Sequence, residues 1–311
     1  MPLPKISDDD LIRFFPLLGA GGIAAQFGIT TAKVYERRRV VEGKHGITLE
    51  APTKRNKPSK GILHAEVKDG IVLVGSDCHF WPGVISTAHR AFCKLAKELK
   101  PKIVIANGDV MDGATISRHV PIGWEDRPKL IEELETCQER LGEITKAAGR
   151  ARRIWSLGNH DARLETKIAT FLPEYAKVNG VHLKDHFPDW EPCWSIWINN
   201  EVVVKHRFRG GIHATHNNVM WAGKTIVTGH LHSLKVTPFT DYNGVRYGVD
   251  CGTLAPIYGP QFTYLETNPV NWRSGFVILH FWKGRLLHPQ IVMVMDEDEG
   301  LVDVGGKVIK V

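Results

Sequence analysis

The sequence predicts an α/β fold with a small all-α unit at its N-terminus. Three observations carry this. From Ile71 onward, apolar strand-like runs alternate with amphipathic helical stretches. Residues 8–39 instead show helix-type periodicity broken by glycines, and a proline-rich basic stretch lies between the two regions.

The N-terminal region comes first. Asp8–Asp10 suit a helix N-terminus, and the apolar residues through Leu18 continue that helix. A short helix is expected through Ile23–Phe27, a tight turn at Gly28, and a second helix from about Thr31 to Arg39, capped by Thr30 or Thr31. Ala24, Gly28 and Val34 stand where a helix-turn-helix needs a small residue, a turn residue and an apolar anchor. The second helix would present Thr30, Thr31, Lys33, Tyr35, Arg37, Arg38 and Arg39 to a DNA groove and its phosphates. In this spacing the segment resembles the helix-turn-helix units of phage and bacterial DNA-binding proteins.

Charge supports a polyanionic partner. Residues 1–60 hold 11 Lys or Arg against 6 Asp or Glu, whereas the remaining 251 residues hold 29 against 28. Residues 51–68 (including APTKRNKPSK) read as a basic linker. The expected organisation is therefore 1–50 helix-turn-helix, 51–68 linker, 69–296 main domain and 297–311 a weakly ordered tail.

In the main domain the strand IVLVG precedes a helix around Ile85–Leu99, and KIVIA precedes a longer one around Lys129–Ala148. RRIWS, WSIWI, VVVK and KTIVT follow as strands, and Asn-Gly in TDYNGVRYGVD signals a hairpin. The nine tryptophans are expected mostly in the core.

Composition is that of a globular protein, 43% hydrophobic and 24% charged. No apolar run approaches the roughly 20 residues that span a bilayer. The N-terminus has acids where a signal peptide needs a basic flank. The five cysteines are scattered, odd in number and never in a CxxC pair, so disulfide scaffolds and thiolate zinc sites are excluded. A cytoplasmic location is expected.

Each recognisable strand of the main domain ends in metal-ligand residue types: Asp77-Cys78-His79, Gly108-Asp109 with Asp112, Gly158-Asn159-His160-Asp161, His206, and Gly229-His230-Leu231-His232. Loops at C-terminal strand edges converge, so these clusters can share one crevice. Their order, D-x-H, GD-x-x-D, GNH-D, H, GH-x-H, resembles the calcineurin-like metallophosphoesterase superfamily over roughly residues 70–260.

That resemblance implies a metallophosphoesterase β-sandwich flanked by helices, two divalent metals and phosphoester hydrolysis. Asp77, His79 and His232 would bind one metal, Asn159, His206 and His230 the other, and Asp109 both. His213 and His216 are rivals to His206, because the family often has His-Gly where this chain has His206-Arg207. Mixed imidazole, carboxylate and amide ligation suits Mn²⁺, with Fe or Zn²⁺ as alternatives. His160 would face the scissile phosphate as general acid, Asp161 would hold its orientation, and Asp112 would support the site by hydrogen bonds. Cys78, pointing away along an extended strand, is expected to be a buried, inert thiol. Arg118, His119, Arg163, Arg207 and Arg209 lie near the same edges, each as readily a solvated surface group as a phosphate clamp.

The function expected is hydrolysis by metal-activated hydroxide. The basic N-terminal unit makes DNA the leading substrate, as in the double-strand-break-repair nuclease branch. A phosphatase or small-nucleotide phosphodiesterase is the first alternative. A non-catalytic DNA-binding scaffold is the second, disfavoured because every motif block is filled. Many members of the superfamily dimerise, and no feature of this sequence decides for or against a homodimer.

Overall fold

In the computed structural model, residues 6–51, 61–120, 123 and 125–311 are described. The chain forms two units, Met1–Ser59 and Lys60–Val311.

The first unit is helical: α1 (Asp8–Phe27) and α2 (Thr31–His45). Ser7 caps α1 by accepting the Asp10 N–H, and Asp8–Asp10 fill its first turn. Non-helical dihedrals at Gly19 divide α1, so the predicted helix at 23–27 begins earlier, directly after that break. Gly28, left-handed at φ 66°, ends α1, and the Thr30 hydroxyl caps α2 by accepting the Lys33 N–H. Helix α2 runs past the predicted end at Arg39 because Val41 is fully buried and Arg38 pairs with Glu42 one turn on. Leu11, Phe15, Ile23, Val34, Val41 and Leu49 form the core of this unit.

In the second unit, β1 (Ile62–Ala65), β2 (Gly70–Gly75), α3 (Thr87–Leu99), β3 (Ile103–Ala106), α4 (Leu130–Ala148) and β4 (Arg152–Ser156) open the fold. Then come α5 (Ala162–Phe171), α6 (Leu183–His186), β5 (Glu191–Cys193), β6 (Ser195–Ile198), β7 (Val202–Val204), α7 (Ala214–Ala222), β8 (Thr225–Thr228), β9 (Lys235–Asp241) and β10 (Gly244–Asp250). A 3-10 segment, Pro260–Leu265, precedes β11 (Gly275–Trp282), β12 (Arg285–Leu286), β13 (Gln290–Asp296), β14 (Leu301–Val304) and β15 (Lys307–Lys310).

These strands make two sheets, one ordered β1-β6-β7-β8-β10-β9 and one β15-β14-β13-β11-β2-β3-β4-β5, with β12 on β11. Alternation explains the layering. Val72, Val74, Ile103, Ile105 and Ile154 point one way, into an apolar layer shared with Ile196, Ile198, Val202, Val204 and Val227 of the other sheet. Leu73, Val104, Ala106 and Trp155 point the other way, against α3 and α4. Strands β2, β3 and β4 are mutually parallel, as are β7 and β8. Their C-terminal ends are where the motif blocks sit.

Two predicted boundaries need correction. Within the expected linker, residues 52–60 lie outside the described residues, but 62–65 form β1, paired in parallel with β6. The short apolar dipeptide Ile62-Leu63 sits among polar neighbours and gave little strand pattern. The expected tail is instead the hairpin β14–β15, turning at Gly305-Gly306 and burying Val302 in the core. Its acidic lead-in masked the alternation that follows. Among the described residues no helix is long and apolar enough to cross a membrane.

Candidate metal centre

Strand β2 delivers Asp77 and His79, β3 delivers Asp109 and Asp112, and β4 delivers Asn159, His160 and Asp161. From the other sheet, β7 delivers His206 and β8 delivers His230 and His232. The loops continue the parallel pairing: Asp77 N–H donates to Gly108 O, and His79 N–H to Asp109 O, both at 2.9 Å. Of eleven non-glycine residues with positive φ among the described residues, five are Asp77, His79, Asp109, His230 and His232. Such strain is concentrated where a fold must aim side chains at one point.

Two glycines allow the loops to close in. A Cβ on Gly158 would stand 2.1 Å from Asp109 Oδ1, and one on Gly229 would stand 1.8 Å from Ser76 Oγ and 2.4 Å from Asp77 Oδ2. Glycine is required here by proximity, not only by backbone dihedrals.

Asp77, His79 and His232 bring ligand atoms within 4.8 Å of one another, and so do Asp109, His206 and His230. His206 is almost fully buried, whereas His213 and His216 are exposed, one preceding α7 and the other on it. The imidazole tautomers follow from hydrogen bonding. His206 Nδ1 donates to Asn107 O at 2.7 Å, leaving Nε2 3.0 Å from Asp109 Oδ2. His79 Nδ1 donates to Asp112 Oδ1 at 2.9 Å, leaving its buried Nε2 without a partner. Asn159 Oδ1 is also buried and unpartnered. Buried acceptors without donors, set beside carboxylates, fit divalent cations.

Electrostatics agree. Burial would raise the carboxyls of Asp77 and Asp109, but the histidines around them outweigh burial and hold both below their usual range. Burial would likewise lower His206, yet Asp77 and Asp109 push it up to about 10. The pocket thus holds concentrated negative charge that needs a cation, whether a proton on His206 or a metal.

Asp112 serves both histidines of the acid side: its Oδ1 also lies 3.2 Å from His160 Nδ1, which donates to the Asp112 carbonyl at 2.8 Å. That leaves His160 Nε2 facing Arg163 Nη2 at 3.1 Å. Asp161, expected to orient His160, does something else. Its carboxylate accepts the backbone N–H groups of Asp109, Val110, Met111 and Gly158 and the indole N–H of Trp155. The cause is the turn after β4, which directs Asp161 under the 108–111 loop. Cys78 is buried, and burial pushes its thiol well above the ordinary range.

Phe262 and Trp272 went unnoticed in the sequence. Phe262 packs edge-on to His79, and Trp272 lies 4.3 Å from His232, ring to ring. No motif marks either residue. Beside His160 and Arg163 opens a cavity of about 640 Å³, lined also by Trp81, Asp112, Arg127 and Tyr264.

In the first unit Thr31, Lys33, Tyr35 and Arg39 are exposed on α2. The other three residues expected to face DNA are engaged within the unit. The Thr30 hydroxyl is a cap, Arg37 pairs with Asp8 at 2.5 Å, and Arg38 pairs with Glu42 while its guanidinium lies over Phe15.

Residues 71–256 match the family described as Calcineurin-like phosphoesterase. No curated protein matches the chain. Among solved structures, Vacuolar Protein Sorting 29 from Cryptosporidium parvum is 13% identical, with 78% of this chain and 100% of that one covered at a TM-score of 0.43. A Chaetomium thermophilum Vps29 is 9% identical, covering 77% and 97% at 0.40. A dimetal phosphatase from Danio rerio is 10% identical, covering 73% and 96% at 0.33. None of these likenesses bears on what this chain acts on.

Proposed function

The chain belongs to the calcineurin-like phosphoesterase family and is a metal-dependent phosphoester hydrolase, and from that premise we propose that it is a two-metal phosphodiesterase that cuts DNA. The observations that carry the DNA reading are Lys33, Tyr35 and Arg39, exposed on α2, and the segment 52–60 that follows, with four Lys or Arg and no Asp or Glu in an otherwise near-neutral chain.

Asp77, His79 and His232 would hold one dication, Asn159, His206 and His230 the second, and Asp109 both. Mn²⁺ is the metal we favour for this donor set. When bound, the pair supplies Lewis-acid charge neutralisation and activation of water at neutral pH. The chain's own residues supply the rest. Asp112 fixes the rings of His79 and His160. His160 Nε2 accepts an Arg163 N–H at 3.1 Å while Nδ1 donates to the Asp112 carbonyl. Once that guanidinium turns to phosphate, Nε2 would face the departing oxygen and a proton carried there would pass to it. Arg163, held by the Asp112 carbonyl at 2.7 Å, clamps phosphate oxygens beside it.

A phosphatase or small-nucleotide phosphodiesterase is the second reading, favoured by the cavity next to His160. The deciding experiment measures hydrolysis of bis(p-nitrophenyl) phosphate and of linear and circular DNA with Mn²⁺. It compares the intact chain, His160→Ala and a chain starting at Gly61. Cutting of DNA by the intact chain, lost in His160→Ala and in the shortened chain while the latter still cleaves the small diester, supports the nuclease. Cleavage of small esters alone, unaffected by shortening, overturns it in favour of the second reading.

A further inference from the structure

Between Val202 and Lys235 the sequence carries five Lys or Arg and no Asp or Glu. This stretch leaves β7, supplies His206 to the metal centre, and then runs outward as Arg207-Phe208-Arg209 before forming α7 and β8. All three of those residues are exposed. Their surroundings are built. The Arg209 N–H donates to Oδ1 of Asn218, which is buried on α7, fixing the loop against that helix. The Arg209 guanidinium lies 4.1 Å from the Trp221 ring centroid, and Phe208 sits between Lys205 at 5.3 Å and Arg209 at 6.0 Å.

Trp221 is 62% exposed and Phe208 45%, against the expectation that tryptophans here belong to the core. Among the described residues no carboxylate pairs with Lys205, Arg207 or Arg209. On the strands packed against α7, Asp241 is paired with Arg246 and Asp250 is buried. Exposed rings interleaved with unneutralised guanidiniums, one residue from a proposed metal ligand, fit a particular ligand chemistry. Bases with open faces stack on the rings and phosphates meet the cations. A duplex hides its base faces, so the ligand is single-stranded.

We propose that Arg207, Phe208, Arg209 and Trp221 form a platform that binds single-stranded nucleic acid and leads its backbone to the metal centre. The proposal rests on the reading of the chain as a nuclease and assigns it a strand preference. The platform is formed wholly by residues of the second unit.

The test is fluorescence anisotropy of labelled oligo(dT) with the full chain in EDTA, where nothing is hydrolysed. Trp221→Ala and Phe208→Ala are each expected to weaken binding about tenfold, with Trp221→Phe restoring most of it. Arg207→Ala and Arg209→Ala are expected to flatten the salt dependence, by about 0.7 in log–log slope for each phosphate left without its cation. Thermal melts of each variant establish that it is folded. Equal oligo(dT) binding by wild type and the alanine variants overturns the proposal. So does wild type that ignores oligo(dT) and sediments as a dimer split by Trp221→Ala, since the surface then belongs to a second copy. If oligo(dT) binds through these residues but Mn²⁺ elicits no DNA cutting, the platform stands and the hydrolytic reading alone fails.

Discussion

The Asp161 carboxylate accepts the backbone N–H of Asp109 at 2.9 Å, so the residue beside the proposed acid holds the proposed bridging ligand in place. Four further N–H groups converge on the same two oxygens. Burial and the Asp109 charge push this carboxyl up to about 6, but five donors favour its anion at neutral pH. Asp161→Asn turns an amide donor toward these donors and is expected to cost about 2–4 kcal/mol of stability in urea unfolding. His160→Ala, at a partly exposed position, is expected to abolish hydrolysis with a stability change within about 1 kcal/mol. If Asp161→Asn unfolds like wild type yet shifts the alkaline limb of the pH–rate profile, where the proton donor is lost, Asp161 acts on His160 after all.

Glu133 on α4 sets a pH dependence of stability. One of its oxygens accepts the Ala114 N–H, and the other is buried with no partner. Burial, with Asp112 adding to it, raises the carboxyl to about 7. The folded state therefore holds a proton that the unfolded chain releases near 4.5. The stabilisation is complete below pH 4.5 and is lost as pH rises through 7. Glu133→Gln, which mimics the protonated form, is expected to equal wild type near pH 5. By pH 9 it should be the more stable, on the order of 2–3 kcal/mol by denaturant titration. Parallel stability curves for the two proteins would sink this account.

Much of the metal centre was legible because ligand chemistry needs particular residue types at strand ends, and Asp77, His79, Asp109, His206, His230 and His232 converge as their spacing suggests. What stayed hidden has a different physical origin. Phe262 and Trp272 reach the site through packing, which any apolar residue of the right shape could provide. Asp161 stands next to His160 in sequence, yet three of its five donors come from the loop at 109–111, about 50 residues earlier, a pairing no local pattern announces. β1 and the β14–β15 hairpin are edge elements whose pairing follows from the sheets they join, not from strong patterns of their own.

Divalent metal should stabilise the second unit. The Asp109 charge opposes ionisation of Asp77, although the histidines outweigh it, so a cation between them relieves repulsion only in the folded chain. Mn²⁺ at one hundred times its dissociation constant is expected to add about 2.7 kcal/mol, read as a rise in melting temperature that EDTA reverses. Asp109→Asn should lose most of that rise, having given up the bridging charge. A metal-independent melting temperature in wild type would show that the cluster takes no dication.

Asp8 ties the helical unit together, accepting Arg37 at 2.5 Å and Lys44 at 2.7 Å, with His45 Nε2 at 3.2 Å. Hydrogen bonds from Lys44 and His45 lower its carboxyl to about 2. The sign is therefore that of a depressed acid: its stabilisation is present above the ordinary value of 3.8 and disappears as pH falls through about 2. Asp8→Asn removes the charge at every pH, so the end of α2 should loosen from the start of α1 even at pH 7. Limited proteolysis of the full chain is expected to cut the variant faster within the first unit, with the second unit digested as in wild type. Unchanged cleavage in the first unit would mean that its apolar core, with Phe15 and Val34 at the centre, holds the helices without this ion-pair cluster.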